Sequence, residues 1–363
     1  MTKVPLNAEK SKEFIEGVLC QKPVSGLTHT FYTYPARFSP AFAAAAIRCF
    51  SKPGDLVLDP YMGGGTTIVE AMVADRQSVG VDLNSLAVFV ARVKTSRIED
   101  EESSAIRHWA NQAVPMIRYH YKSTTLDKFV DRNKIKNLHL SRSRFIKKAI
   151  TIALESVDKL PTEKAKNFAK CAVLNAGKWA LDGRRSHASL SSFRDRLRIM
   201  THQMLVGMEE FISTAKTFKT TLIEGDAKDI TKASVFRQGS QFADLVLTSP
   251  PYPGVHVLYH RWQVDGRKET PAPYWIVGCN DGEGASFYNF GSRQQKGLAR
   301  YFHASLETLK SVRQVMKPGA LMVQLIAFNN PAQYLPLYLD NMTQAGFEEV
   351  FPLRVSFRQG CMK

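Results

Sequence analysis

The stretch from Val57 to Asn84 constrains the fold more than any other part of the chain. Val57 and Leu58 form a short apolar run that meets an acid, Asp59, and then the turn Pro60-Tyr61-Met62-Gly63-Gly64-Gly65-Thr66-Thr67. Three consecutive glycines allow positive φ and a close approach of another molecule to the backbone. A helix beginning near Thr66 would point free N–H groups at whatever sits there, favouring a carboxylate or phosphate. Val79-Gly80-Val81-Asp82-Leu83-Asn84 follows as a second strand, ending in an acid about twenty residues on. Strand, glycine turn, helix and strand together predict a βαβ unit and a parallel sheet. No lysine follows the glycines, so the phosphate-gripping P-loop pattern is absent and ATP is disfavoured. An acid such as Asp82 stands where a ribose diol is held in nucleotide-binding α/β folds.

A second feature lies far downstream. The apolar run Leu245–Leu247 leads through Thr248 into Ser249-Pro250-Pro251-Tyr252. Consecutive prolines fix φ and bias the residue before each of them towards extended backbone. The strand end becomes a stiff ledge with carbonyls that cannot turn back into a helix, and an aromatic ring just beyond. Such a ledge suits a planar group bearing an NH₂ on its edge: Ser249 and the carbonyls accept the amine protons while Tyr252 stacks on the ring face. Pro-Pro-aromatic also ends strands in proteins without this chemistry, so the ledge by itself leaves both readings open.

Taken together, the two features resemble the S-adenosylmethionine-dependent amino-methyltransferases of DNA, which methylate an exocyclic nitrogen of cytosine or adenine. The matching residues are Asp59-Pro60-Tyr61-Met62-Gly63-Gly64-Gly65-Thr66-Thr67 and Thr248-Ser249-Pro250-Pro251-Tyr252. Phe31-Tyr32-Thr33-Tyr34-Pro35-Ala36-Arg37-Phe38-Ser39-Pro40 is similar to the segment that precedes the first strand in this family. Ile223-Glu224-Gly225-Asp226 is similar to the family's third-strand acid. The matches span residues 31–252, cofactor half first, and leave the stretch between Asp82 and Asp226 unmatched. The resemblance implies a Rossmann-like class I methyltransferase sheet of seven strands, here with an inserted basic helical region. It places the methionine end of S-adenosylmethionine by Tyr34, Pro35, Arg37 and Phe38 and over Asp59, Pro60, Tyr61, Gly63, Gly65, Thr66 and Thr67. The ribose then falls at Asp82 and Leu83, and the adenine near Asp226. Ser249, Pro250, Pro251 and Tyr252 are the expected catalytic residues.

Composition agrees with a nucleic-acid partner. The 363 residues carry a formal net charge of +16, with 44% hydrophobic content typical of a soluble globular protein. The charge is concentrated: residues 118–219 hold 22 Lys and Arg against 9 Asp and Glu. Contacts from such residues to phosphate supply most non-specific nucleic-acid affinity, although a basic helical surface can also be merely solvated. Five scattered cysteines without a Cys-x-x-Cys pair argue for a reducing compartment and against a disulfide framework or zinc site. No Pro-Cys pair occurs, which excludes the thiolate mechanism of methylation at cytosine carbon-5. No apolar segment is long enough to span a bilayer. A cytoplasmic, nucleoid-associated protein is expected, with double-stranded DNA as partner, no membrane, and a cognate restriction endonuclease of the same system as a further candidate.

The chain divides into three parts. Residues 1–98 give an N-terminal segment and the first half of the cofactor sheet. Residues 99–218 read as a helical basic insertion for DNA and target recognition, with amphipathic helices over Ile146–Leu160 and Thr162–Ala180. Residues 219–363 return to the sheet through Thr221–Glu224, Leu245–Thr248, a helix over Gly297–Met316, a turn at Lys317-Pro318-Gly319 and a strand over Ala320–Ile326. Phe347–Phe357 reads as an edge strand or hairpin. Arg184 and Arg185, in a basic loop of the insertion, are candidates for base or phosphate contact. A long loop, 265–296, carries Arg267, Tyr274, Trp275 and Arg293 and is a second candidate for target reading. His256 and His260 are spaced like a metalloprotease pair, but Val257 stands where the catalytic Glu would be, so the proteolytic reading fails. Shaping of the base pocket or local packing is expected in preference to the alternative of a metal pair, and no metal is expected.

The expected reaction follows. A base stacked in a duplex cannot reach the methyl donor and must be flipped out. Its conjugated amine is a poor nucleophile until Ser249 and the Pro250 carbonyl accept its protons and favour a pyramidal nitrogen. In the resembled family, Ser before Pro-Pro-Tyr goes mostly with cytosine N4 and Asp with adenine N6. Cytosine N4 is therefore the expected target and adenine N6 the alternative, followed by an RNA amino-methyltransferase or an inactive DNA-binding relative.

Overall fold

A computed structural model describes residues 6–33, 38–118, 135–138, 141–184, 186, 188–237, 242–251, 253, 261–266, 268–284 and 295–350. Among these residues the centre is a five-stranded sheet of order β3-β2-β1-β4-β7, five of the seven strands that the resemblance implies. The strands are β1 (Leu56–Asp59), β2 (Gln77–Asp82), β3 (Thr220–Glu224), β4 (Ala243–Thr248) and β7 (Met316–Gln324). Every neighbouring pair in it is parallel, as the βαβ reading predicts. The chain runs outward from β1 through β2 to β3, then crosses back to place β4 on the other side of β1. The direction of winding thus reverses between β1 and β4, and the crevice beyond the carboxyl ends of such a pair is where ligands bind in open α/β sheets.

Alternation along the strands explains the two covered faces. Val57, Leu245 and Leu247 point to α2 (Pro40–Phe50) and its Phe42, Ala43, Ala46 and Ile47. Leu56, Leu58 and Val246 point the other way, to Ile230, Phe236 and the end of α10 (Gln295–Gln314). α2 starts at Ser39, whose hydroxyl accepts from the Phe42 N–H at 3.1 Å, with Pro40 in the first turn where its missing N–H costs nothing.

Between β2 and β3 run α4 (Ser85–Thr95), α5 (Asp100–Gln112), α6 (Ser141–Val157), α7 (Glu163–Leu181) and α8 (Leu190–Thr214). The two amphipathic helices read from sequence correspond to α6 and α7 with shifted ends. Thr162 caps α7 through its hydroxyl, 3.1 Å from the Ala165 N–H. These helices do not have a core of their own. Ile106, Trp109, Phe168, Phe193 and Phe211 belong to one continuous cluster with Ile68, Met72, Leu86 and Val90 beside the sheet.

Three expectations are corrected by the structure. The segment after the ledge is not a loop from residue 265: β5 (Trp262–Val264) and β6 (Lys268–Thr270) pair antiparallel, and α9 (Ala272–Val277) follows. Trp262, Val264, Tyr274 and Ile276 are buried in the large cluster, so Tyr274 is a packing residue and not a surface reader. Lys317-Pro318-Gly319 lies inside β7 and not before it. A register irregularity between Ala243 and Leu245 lets the partner strand carry Pro318, which has no N–H to give the ladder. Phe347–Val350 forms no strand; the rest of the expected hairpin lies outside the described residues, as do His256 and His260. Among the described residues no helix is long and apolar enough to cross a membrane.

Candidate active site

β1 ends in Asp59, which is 2% exposed. One carboxylate oxygen accepts the Thr67 hydroxyl at 2.6 Å. The other accepts the Thr248 hydroxyl at 2.6 Å and the Tyr61 N–H at 3.1 Å. Thr67 stands in the first turn of α3 (Thr66–Val73), behind the glycines, and Thr248 is the last residue of β4, just before the ledge. One buried acid therefore ties the glycine turn to Ser249-Pro250-Pro251. Burial pushes the Asp59 carboxyl up to about 6, against the opposing pull of Thr248, Thr67 and Tyr61. Its oxygens face the chain's own donors, which makes it an anchor of the site more than a ligand contact.

The glycine turn is held from three sides. Gly63 (φ 48°) and Gly65 (φ 76°) take the left-handed conformation that favours glycine. The Gly63 N–H donates to Asp82 at 2.9 Å, and the Met62 N–H to the Val81 carbonyl at 3.0 Å. From α4, the fully buried Lys94 donates to the Gly64 carbonyl at 2.7 Å. A Cβ at Gly65 would lie 3.0 Å from the Ala91 Cβ of α4. Gly65→Ala is thus expected to lower stability by about 1–3 kcal/mol through strain and crowding, read as a lower urea midpoint at unchanged slope; a wild-type midpoint would contradict this packing.

Asp82 closes β2. Its second oxygen accepts the Asn84 N–H at 2.8 Å, and Asn84 in turn donates to the Tyr274 hydroxyl at 2.8 Å. The Gly225 N–H donates to the Asp82 carbonyl at 3.0 Å, bringing Asp226 to the same edge of the sheet. Burial also pushes Asp82 up to about 6, opposed by the Asn84 and Gly63 N–H groups. Asp226 caps a short 3₁₀ turn by accepting the Lys228 N–H at 3.1 Å and pairs with the Lys228 ammonium at 3.0 Å. Asp59, Asp82 and Asp226 thus stand at or just past the carboxyl ends of β1, β2 and β3. Leu83 is half-buried beside them.

The ledge is braced by the neighbouring strand and helix. The Leu325 N–H donates to the Thr248 carbonyl at 3.0 Å, and the Ser249 hydroxyl donates to the Leu325 carbonyl at 2.9 Å. Because that hydroxyl spends its one proton on Leu325, its lone pairs are left to accept. The buried Tyr301 of α10 donates to the Pro251 carbonyl at 3.1 Å. Pro250 and Pro251 share a narrow cleft with Pro60, Tyr61, Ser305 and Thr308. Tyr61 is held there by a hydrogen bond with Thr308.

The structure brings together Asp59, Pro60, Tyr61, Gly63, Gly65, Thr66, Thr67, Asp82, Leu83, Asp226 and Ser249–Pro251 at one end of the sheet. Phe38 is buried and stacks edge-on against Phe42 at 5.4 Å, in the core under α2. Arg184 lies apart, on Trp179. Tyr34, Pro35, Arg37, Arg185, Tyr252, Arg267 and Arg293 lie outside the described residues. Lys94, Tyr301, Asn84 and Leu325 are contributors that motif reading missed. Lys94 shares the last turn of α4 with the exposed Arg92, and nothing in the sequence separates the two.

Comparison with known proteins bears on this arrangement. Residues 4–91 match the family model described as DNA methylase, of the N6/N4 type. That segment belongs to the N6/N4 DNA methylase family. The chain is similar to the type II methyltransferase M.MvaI of Kocuria varians, with 31% identity over 115 residues, 31% of this chain and 24% of the relative. Type II methyltransferase M.Cfr9I of Citrobacter freundii is 39% identical over 86 residues, 24% of this chain and 26% of the relative. Type II methyltransferase M.MjaII of Methanocaldococcus jannaschii is 27% identical over 89 residues, 24% and 17% respectively. The chain thus spans about a quarter or less of the length of these relatives. No solved structure matches it significantly.

Proposed function

We propose that this protein is an S-adenosylmethionine-dependent DNA methyltransferase that methylates the exocyclic N4 of cytosine in duplex DNA, with the target base flipped out of the helix. The observation that carries the reading is the link through Asp59: a glycine turn open to a ligand and an amine-accepting ledge are fixed to the same buried carboxylate. The relatives named as type II methyltransferases support it.

The residues present fit the donor. A Cβ built on Gly63 would meet nothing within 4 Å, so the turn presents bare backbone to open space. Asp82 uses one lone pair of each oxygen on an N–H group and keeps others for a ribose diol. When bound, S-adenosylmethionine supplies an electrophilic sulfonium methyl. Everything else falls to the chain. Ser249, its proton committed to Leu325, and the Pro250 carbonyl accept the two amine protons and draw the nitrogen lone pair out of conjugation. Tyr252 stacks on the base, worth about 1–3 kcal/mol on the scale of base–aromatic contacts. Catalysis is positioning and electrostatics without a covalent enzyme intermediate. In this proposal the basic helices of 99–218 face the DNA.

Asp82 gives a test that does not require turnover. Hydrogen bonds to a charged acceptor contribute about 1.5–3 kcal/mol, so Asp82→Asn is expected to weaken donor binding roughly tenfold or more in calorimetry. With its carboxyl up at about 6, the ionised acceptor is present above that pH, and wild-type affinity should fall as pH drops through it. Unchanged affinity in the variant would contradict the ribose role. The whole reading is tested by incubation with methyl-labelled donor and either unmodified duplex DNA or RNA. Label in DNA is expected; label confined to RNA would move the protein to a different substrate class.

A further inference from the structure

Trp179, near the end of α7, carries two guanidinium groups. The Cζ of Arg184, from the turn after α7, lies 4.7 Å from the indole centroid, and that of Arg196, from α8, lies 5.9 Å away. Neither arginine pairs with a carboxylate among the described residues. Asp182, the nearest acid in the turn, accepts the Gln263 N–H at 2.8 Å, and the exposed Asp195 stands beside Arg196 in sequence without pairing to it. The Arg196 Nε is buried and has no hydrogen-bond partner among the described residues, an arrangement that ordinary cores avoid.

Two cations against one ring repel each other, and folding alone has no use for that. A bound anion turns the same geometry favourable. Guanidinium groups that lean on an aromatic face keep N–H edges for a planar, bidentate contact with an oxyanion. The ring also holds them in place before the ligand arrives, which lowers the entropy lost on binding.

Position makes the anion a nucleic-acid phosphate. The Gly183 N–H donates to the Gln263 carbonyl at 2.7 Å, which fastens this turn to β5. Lys178, the residue before Trp179, donates to the Thr33 carbonyl at 2.8 Å and lies 4.9 Å from the Tyr32 ring. The helix end and turn that carry the cluster are therefore fastened to β5 and to the segment ending at Thr33, within the stretch that carries most of the chain's net positive charge.

We propose that Arg184 and Arg196, held on Trp179, form a clamp for a backbone phosphate of the bound DNA. The inference rests on the DNA reading above and assigns Arg184 to phosphate and not to a base edge. It is tested with the full-length protein, a short unmodified duplex and S-adenosylhomocysteine, over a salt series. The Arg184→Gln/Arg196→Gln double variant should make the negative slope of log K against log salt shallower by about 1–2 units and weaken binding several-fold. Arg184→Lys/Arg196→Lys should keep the slope, because the charge survives. Trp179→Leu should weaken binding while also keeping the slope. Unaltered S-adenosylhomocysteine affinity in each variant shows that the fold is intact. A wild-type slope in the glutamine variant, with wild-type DNA binding normal, would overturn the clamp alone. A wild-type protein that bound no DNA would overturn the DNA reading and the clamp with it.

Discussion

Ser249→Ala is expected to reduce methyl transfer by about 10²–10³-fold, on the scale of removing one preorganised hydrogen-bonding group from a catalytic site, while donor affinity stays at the wild-type value. The hydroxyl is at the strand end, fixed by donation to Leu325 at 2.9 Å, and makes no hydrogen bond to the glycine turn among the described residues. Its loss removes an acceptor for the target amine and leaves the donor site whole. Tyr252→Ala should behave alike, since the proposed stacking concerns the base and not the donor. Single-turnover transfer and calorimetric donor binding separate the two effects. Near-normal turnover in either variant would mean that the ledge does not hold the amine. Lost donor binding would mean that the ledge belongs to the wrong half of the site.

Asp59→Ala should be the most destabilising change in the site. It strands the Thr248 hydroxyl and the Tyr61 N–H, each at a cost of about 1–3 kcal/mol, and leaves the Thr67 hydroxyl only the Leu247 carbonyl at 3.4 Å. At least about 2 kcal/mol is therefore expected from urea unfolding. The pH dependence has a definite sign. With its folded-state carboxyl at about 6 and its ordinary value at 3.8, the folded chain binds the Asp59 proton more tightly than the unfolded chain does. The resulting stabilisation is present below pH ~4 and is lost as pH rises through ~6. The stability advantage of wild type over Asp59→Asn should thus narrow between those values. An advantage that grew with pH would contradict the burial of the carboxylate.

Much of the sheet was legible because its signals are local. Apolar runs ended by acids located β1 and β2, and the prolines of the ledge marked the end of β4. Boundaries slipped where pairing decided them: β7 begins at Met316 through its register with Ala243, which the local Pro-Gly signal masks. The hairpin and α9 after residue 261 were missed because Tyr274, in a glycine-rich polar stretch, looks like a surface aromatic until the Asn84 cap of α4 supplies its partner. The role of Asp59 was half legible. The motif marks it as part of the donor site, but its two hydroxyl partners come from segments 8 and 189 residues away, and only the fold brings them together. Lys94 was invisible for the same reason.

The most direct measurement is nucleoside mass spectrometry of unmodified duplex DNA after incubation with the purified protein and methyl-labelled S-adenosylmethionine. The account predicts labelled N4-methylcytosine. Labelled N6-methyladenine would keep the amine ledge and overturn the assignment of the base. Absence of label in DNA, with donor binding intact, would contradict the central claim.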